Sequence, residues 1–94
     1  MAVKVLIKRK LQGDKYYDLT ELLKKMRVQC LNQPGYIKGE TLSRIDIPDE
    51  SLVISTWKDL DAWNEWQNNK ERIDVQNEID FLLQEPTGYE VYQL

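Results

Sequence analysis

The sequence predicts an α+β protein of the ferredoxin-like class, folded as a single domain over residues 1–94. Two observations support this. Apolar residues recur at period two in some segments and at spacings of three and four in others, in the order β-α-β-β-α-β. The length of 94 residues allows one hydrophobic core but not two. Right-handed crossovers would place two helical regions on one face of a four-stranded antiparallel sheet.

The first third of the chain predicts a strand followed by a helix. The strand runs from Val3 to Leu11 because apolar and charged residues alternate there. After a turn, Asp18 is the expected N-cap of a helix that ends near Asn32. Its apolar stripe has helical spacing and consists of Leu19, Leu22, Leu23, Met26 and Cys30. The Pro34-Gly35 pair stops this helix.

The middle of the chain predicts a β-hairpin. Period-two alternation returns from Tyr36 to Asp46, and a turn follows at Pro48. The second strand, Leu52 to Trp57, is apolar on both faces. Such a strand is usually central in its sheet or covered on both sides.

The last third predicts two helical stretches and a closing strand. Asp59 can cap a helix that carries Trp63 and Trp66, and a break is expected at Asn68-Asn69. A further helical stretch has its apolar residues at Val75, Ile79, Leu82 and Leu83. The closing strand runs from Tyr89 to Leu94.

This topology leaves one face of the sheet uncovered. Leu6, Val53 or its neighbours, and Tyr92 are expected there, which is too much apolar area for open water. We therefore expect a homodimer in which two sheets pack together as a dimeric α+β barrel.

Composition excludes several functions. The chain has 13 basic and 16 acidic residues, so nucleic-acid binding would depend on one local patch, Lys8-Arg9-Lys10, and is not expected. No apolar run approaches the roughly 20 residues of a membrane span. Histidine is absent and Cys30 is the single cysteine, which excludes the usual triads, thiolate zinc sites and an intrachain disulfide. We expect no metal and a cytoplasmic location.

Several short segments resemble the antibiotic biosynthesis monooxygenase family. They are Gln33-Pro34-Gly35-Tyr36, Gly39-Glu40-Thr41-Leu42, Leu52 to Trp57, the helix with Ala62-Trp63 and Trp66, and Tyr89 to Tyr92. The family forms dimeric α+β barrels. Some of its members oxygenate anthrones or quinols without a cofactor, and another branch degrades haem. That branch pairs the tryptophan at the Trp66 position with a histidine ten residues later, where this chain has Gln76. Haem degradation is therefore not expected, and neither is any other cofactor.

The resemblance and the local chemistry together nominate six site residues. The catalytic candidates are Trp66, Gln76 and Asn64, and the substrate-binding candidates are Trp57, Trp63 and Tyr36. Indole rings stack on planar aromatic substrates, and amides can hold a developing oxyanion. The same tryptophans have the spacing of a core stripe, and the amides could be solvated. Arg72 could assist an oxyanion or lie on the surface.

Two functions follow as hypotheses. The first is a cofactor-independent monooxygenase acting on a small aromatic polyketide or quinol, with its pocket between sheet and helices. The alternative is a non-catalytic dimeric protein that binds a hydrophobic small molecule or serves in a stress response. No residue has an obvious role as general base, which keeps the second hypothesis open.

Overall fold

The computed structural model describes residues 1–83 and 85–94. Its elements are β1 (Val3–Lys10), a 3-10 turn (Gly13–Lys15), α1 (Tyr16–Leu31), β2 (Tyr36–Ser43), β3 (Glu50–Trp57), α2 (Leu60–Gln67), α3 (Lys70–Leu82) and β4 (Gly88–Gln93). The strands form a four-stranded antiparallel sheet in the order β2-β3-β1-β4. The predicted α+β class and ferredoxin-like arrangement are confirmed. The second helical region consists of two helices.

Two predicted boundaries were wrong by three residues, whereas those of β1, β3 and β4 differ from the observed ones by one or two. Helix α1 begins at Tyr16, so Asp18 lies inside its first turn and is not the N-cap. The 3-10 turn leads directly into the helix, and the Tyr16 amide donates a hydrogen bond to the Gly13 carbonyl. Strand β2 ends at Ser43 and not at Asp46. Beyond it, the Arg44 guanidinium bonds the carboxylates of Asp46 in the loop and Glu50 at the start of β3, which holds that segment as a turn.

Side-chain caps define the starts of α2 and α3, and the predicted break at Asn68-Asn69 separates the two helices. The Asp59 carboxylate accepts a hydrogen bond of 2.8 Å from the Ala62 amide. The Asn69 side chain accepts one of 3.2 Å from the Arg72 amide. Each cap satisfies an amide that the first helical turn would otherwise leave without a partner.

Gly35 makes the turn between α1 and β2 possible. Its φ of +84° lies in the left-handed region that L side chains rarely adopt. A Cβ built there would lie 2.6 Å from the Ala62 side chain, so the glycine also allows the close approach of α2.

The helices cover one face of the sheet, and β1 shows the division most clearly. Val3, Val5, Ile7 and Arg9 point toward the helices and are buried, whereas the residues between them are more exposed. Register pairs Leu6 with Ile54 on the face away from the helices, and Ile7 with Val53 on the covered face. The open face therefore carries the neighbours of Val53 and not Val53 itself.

Candidate functional site

Four of the six predicted site residues meet beneath α2. Trp57 is fully buried, and its ring lies edge-on to Tyr36 at 5.3 Å and to Trp63 at 5.8 Å, measured between centroids. It stacks on Trp66 at 6.4 Å with an interplanar angle of 23°. Its indole N–H donates to the Ser55 hydroxyl at 3.1 Å. We call Tyr36, Trp57, Trp63 and Trp66 the aromatic cluster.

The position of Tyr36 depends on a second glycine. A Cβ at Gly39 would lie 2.6 Å from the Tyr36 hydroxyl, so a side chain there would displace the ring. Partial burial raises the pKa of Tyr36 above its usual value. The phenol therefore stays protonated at neutral pH, and it can act as a hydrogen-bond donor.

A buried arginine borders the aromatic cluster. Arg72 is 5% exposed, and its guanidinium carbon lies 5.8 Å, 6.0 Å and 5.4 Å from the ring centroids of Trp63, Trp66 and Tyr89. Its Nη2 donates to the Tyr89 hydroxyl at 2.6 Å, and its Nη1 donates to the Gln67 carbonyl at 3.3 Å. Its Nε is buried without a partner. The π faces of these rings stabilise the cation but do not provide hydrogen-bond acceptors for all of its N–H groups.

A second buried arginine lies between the sheet and helices α1 and α3. Arg9 is 6% exposed, and its Nη2 donates to the Gln76 amide oxygen at 3.3 Å and to the Met26 sulfur at 3.6 Å. Its Nε is also buried without a partner. Burial lowers the pKa of Arg9, and the positive charge of Arg72 acts in the same direction. An arginine remains a cation at neutral pH even so.

Gln76 links Arg9 to a carboxylate. The Gln76 Nε2 donates to Asp80 Oδ1 at 2.9 Å and to the Thr87 hydroxyl at 2.8 Å. Asp80 Oδ1 also accepts from the Thr87 amide at 3.1 Å and from the Thr87 hydroxyl at 2.7 Å. The amide of Gln76 is thus held in one orientation, with its oxygen toward Arg9. We call Arg9, Arg72, Gln76, Asp80 and Tyr89 the polar interior.

The two arginines of the polar interior lack an ion pair. Within residues 1–83 and 85–94, the salt bridges involve only Lys8, Lys10, Lys24 and Arg44. No described carboxylate lies within 4.0 Å of either buried guanidinium. Buried charges are normally paired or bound to a ligand, because an unpaired one keeps its full desolvation penalty. The polar interior is therefore a candidate anion-binding site.

The sixth predicted residue lies elsewhere. The side chain of Asn64 is exposed on α2, and its main-chain carbonyl accepts from the amide and the side chain of Asn68. The sequence reasoning missed Arg9, Asp80 and Tyr89 as site residues. Arg9 had a usable signal, since it follows Val5 and Ile7 at period two and so shares their covered face.

An open cleft lies at the end of the sheet where β1 ends. It has a volume of about 600 Å³ and is lined by Lys8, Arg9, Lys10, Leu42, Ser43, Arg44, Glu50, Ser51, Leu52, Glu85, Pro86 and Gly88. Lys8 bonds Glu90 at 2.9 Å, and Arg44 bonds Asp46 at 2.6 Å and Glu50 at 2.8 Å. The exposed cations of this cleft are thus already neutralised by carboxylates.

Other chemistry is limited in the part of the chain that the structure describes. No group of three or more metal-ligating side chains comes together there. None of its helices has both the length and the apolar character needed to cross a bilayer. Cys30 is half-buried, and burial raises its pKa to about 12, so its thiol is a poor nucleophile near neutral pH.

The chain belongs to the antibiotic biosynthesis monooxygenase family, whose model matches residues 2–78. No curated protein sequence matches it significantly. Solved structures match its fold at low identity. A conserved protein from Methanosarcina mazei Go1 is 17% identical with a TM-score of 0.92, covering 99% of this chain and 92% of that one.

Two further structures show the same fold. SnoaB, a cofactor-independent oxygenase from Streptomyces nogalater, is 14% identical with a TM-score of 0.86, covering 99% of this chain and 92% of that one. Rv0793 from Mycobacterium tuberculosis is 17% identical with a TM-score of 0.89, covering 100% and 95%.

Proposed function

We propose that this protein is a cofactor-independent monooxygenase that acts on a small phenolic aromatic compound, of the polyketide or quinol kind. The observation that carries the proposal is Arg72, a buried cation that touches three aromatic rings and has an unpartnered N–H donor. Family membership and the fold shared with SnoaB, which is a cofactor-independent oxygenase, support the same class of reaction.

The proposed reaction converts a ring CH₂ of an anthrone-like substrate to a carbonyl. The substrate loses a proton to water and becomes an enolate. The enolate passes one electron to O₂, and the resulting substrate radical and superoxide combine to form a C–O bond. The peroxide takes up a proton and loses water, which leaves C=O. One oxygen atom enters the product and the other leaves as water, so no external reductant is needed.

In this scheme, Arg72 takes the place of a general base. A cation beside the substrate oxygen lowers the substrate's own pKa, because the enolate becomes paired while the neutral form gains less. The Tyr89 hydroxyl, 2.6 Å from Arg72 Nη2, would be displaced or shared when the oxyanion binds. Trp66, whose ring centroid lies 6.4 Å from that of Trp57, would present its other face to the substrate ring.

Gln76 has a positioning role in this proposal. Its Nε2 is engaged by Asp80 and Thr87, so it has no N–H left for substrate. Its oxygen holds the guanidinium of Arg9 toward the polar interior. These groups are buried, so neighbouring side chains must move to admit a ligand, and Arg9 also lines the open cleft at the end of β1.

We also propose that the protein is a homodimer through the open face of its sheet. Leu6, Leu52 and Ile54 lie there partly exposed, and Tyr92 is 53% exposed. Burying these side chains against a second copy removes apolar area from water. Light scattering should give twice the chain mass of 11.2 kDa. A stable particle of the single-chain mass would contradict this.

Oxygen uptake tests the enzymatic proposal. The purified protein, dialysed against EDTA, is mixed with an anthrone and a set of hydroquinones, and O₂ consumption is followed with an electrode. Wild-type protein should consume O₂ in proportion to its concentration. Arg72→Met should reduce the rate about 100-fold, the usual consequence of losing one oxyanion donor.

A matched variant controls for the change of charge. Arg27→Met removes an exposed arginine of α1 and should leave uptake unchanged. Circular dichroism must show that both variants fold. Equal rates for wild type and Arg72→Met would refute the assignment. Tight binding of the same compounds without uptake would favour the non-catalytic binding protein instead.

A further inference from the structure

The buried guanidinium of Arg9 has hydrogen-bond donors that could bind a carboxylate. A guanidinium recognises a carboxylate with two parallel N–H···O bonds, and Nε together with Nη2 forms one such pair. In Arg9 the Nε has no partner. The Nη2 has only two weak partners, an amide oxygen at 3.3 Å and a thioether sulfur at 3.6 Å. Nε is therefore free, and Nη2 can exchange a weak contact for a carboxylate oxygen.

Arg72 differs from Arg9 in this respect. Its Nη2 makes a short hydrogen bond of 2.6 Å to the Tyr89 hydroxyl. One of the two donors that would bind a carboxylate in Arg72 is therefore taken by a neutral group. A phenolic oxygen also fits that place in a ligand. Arg9 instead has an open edge that suits a full negative charge with two oxygens.

The carboxylate of Asp80 acts on Arg9 electrostatically but does not fill this role. Asp80 is separated from Arg9 by Gln76, which accepts from Arg9 and donates to Asp80. Asp80 Oδ1 already accepts three hydrogen bonds, one from Gln76 and two from Thr87. Asp80 therefore orients Gln76 but leaves Arg9 without a direct counter-ion.

We propose that the ligand of this protein is an aromatic hydroxy acid whose carboxylate binds the Nε and Nη2 of Arg9. This inference rests on the proposed function for the placement of the phenolic ring, and it adds the substrate's second polar group. The carboxylate would supply the charge that the two buried guanidiniums lack, while the hydroxyl lies toward Arg72 and the ring toward Trp66.

Calorimetric titration with a matched ligand pair tests the proposal. The probes are 3-hydroxy-2-naphthoate and its carboxamide, which share shape and hydroxyl group and differ in charge. Wild-type protein should bind the acid about 10- to 100-fold more tightly than the amide, as expected for charge-assisted bonds at a buried site.

Three variants locate the preference for the acid. Arg9→Met should abolish it, whereas Lys10→Met, which removes a more exposed cation one residue further on, should keep it. Arg9→Lys should restore part of it, since the charge returns without the paired donors. An acid preference that survives in Arg9→Met would overturn the proposal, as would a wild-type protein that binds neither probe or binds both equally.

The result separates the two proposals. Oxygen uptake on hydroquinones together with equal binding of acid and amide would refute the carboxylate site and leave the oxygenase intact. A clear acid preference without oxygen uptake on any phenolic acid would do the reverse.

Discussion

The aromatic cluster beneath α2 and the polar interior beside α3 adjoin each other at Arg72, yet they differ in how fully their polar groups find hydrogen-bond partners. The aromatic cluster is packed ring against ring, and the indole N–H of Trp57 has a partner. The polar interior holds two guanidiniums with no described carboxylate within 4.0 Å, and the Nε–H of each has no acceptor. The first region has what a stable core needs. The second is incomplete, and a bound anion would complete it.

The largest expected effect on stability lies in the aromatic cluster. Trp57→Ala removes a fully buried indole and should lower the free energy of unfolding by about 3–5 kcal/mol, measured by urea denaturation. Phe81 is 88% exposed, so Phe81→Ala should change it by less than about 0.5 kcal/mol. Equal losses in the two variants would show that the cluster does not stabilise the fold.

The Asp80 network should have an intermediate effect. Asp80→Asn keeps the shape but removes the charge that strengthens three hydrogen bonds, and should lower the free energy of unfolding by about 1–3 kcal/mol. Asp74→Asn, at an exposed position of the same helix, is the control. If both changes were neutral, the network would not hold Gln76 in place.

Removal of Arg9 should behave in the opposite way. Arg9→Met replaces an unpaired buried cation with an apolar side chain of similar length, so the free energy of unfolding should stay constant or rise. A loss of about 3 kcal/mol or more is what the breaking of a buried ion pair produces, and it would contradict the account. Urea denaturation in ligand-free buffer makes the measurement.

The smallest effect on stability concerns Cys30, and its signature is chemical. Burial raises its pKa from 9.0 to about 12, so at pH 8 alkylation by iodoacetamide should be at least about 100-fold slower in the folded protein than in urea. The folded state favours the protonated thiol of Cys30. The contribution of this thiol to the free energy of unfolding is therefore complete below pH 9 and is lost as the pH rises toward 12. Fast alkylation of the folded protein would place Cys30 outside the core.

The fold was more predictable from sequence than the site. Period-two and helical spacings located every strand and helix, because each element buries one face and its pattern records that burial. The predicted end of β2 was wrong, because the ion pairs of Arg44, and not a hydrophobic pattern, define the turn that follows this strand. The sequence predicts the tryptophans as site residues, but their ring contacts join β3 to α2, and that of Tyr36 adds β2, which only the tertiary structure brings together.

The buried arginines show why the site was harder to predict. Charged side chains are usually solvated, so the sequence predicts one surface patch at Lys8-Arg9-Lys10. For Arg72 it leaves two roles open, assisting an oxyanion or lying on the surface. Strand alternation alone separates Arg9 from its two neighbours. No local pattern predicts that Arg9 lacks a counter-ion. This depends on Asp80, far along the chain, accepting hydrogen bonds from Gln76 and Thr87 instead.

A crystal structure of the protein with bound 3-hydroxy-2-naphthoate would show which groups hold the ligand. We expect the carboxylate about 3 Å from Nε and Nη2 of Arg9, with the ring beside Trp66 and the hydroxyl toward Arg72. A ligand found instead in the open cleft near Lys8 and Arg44, with the polar interior unchanged, would contradict this expectation.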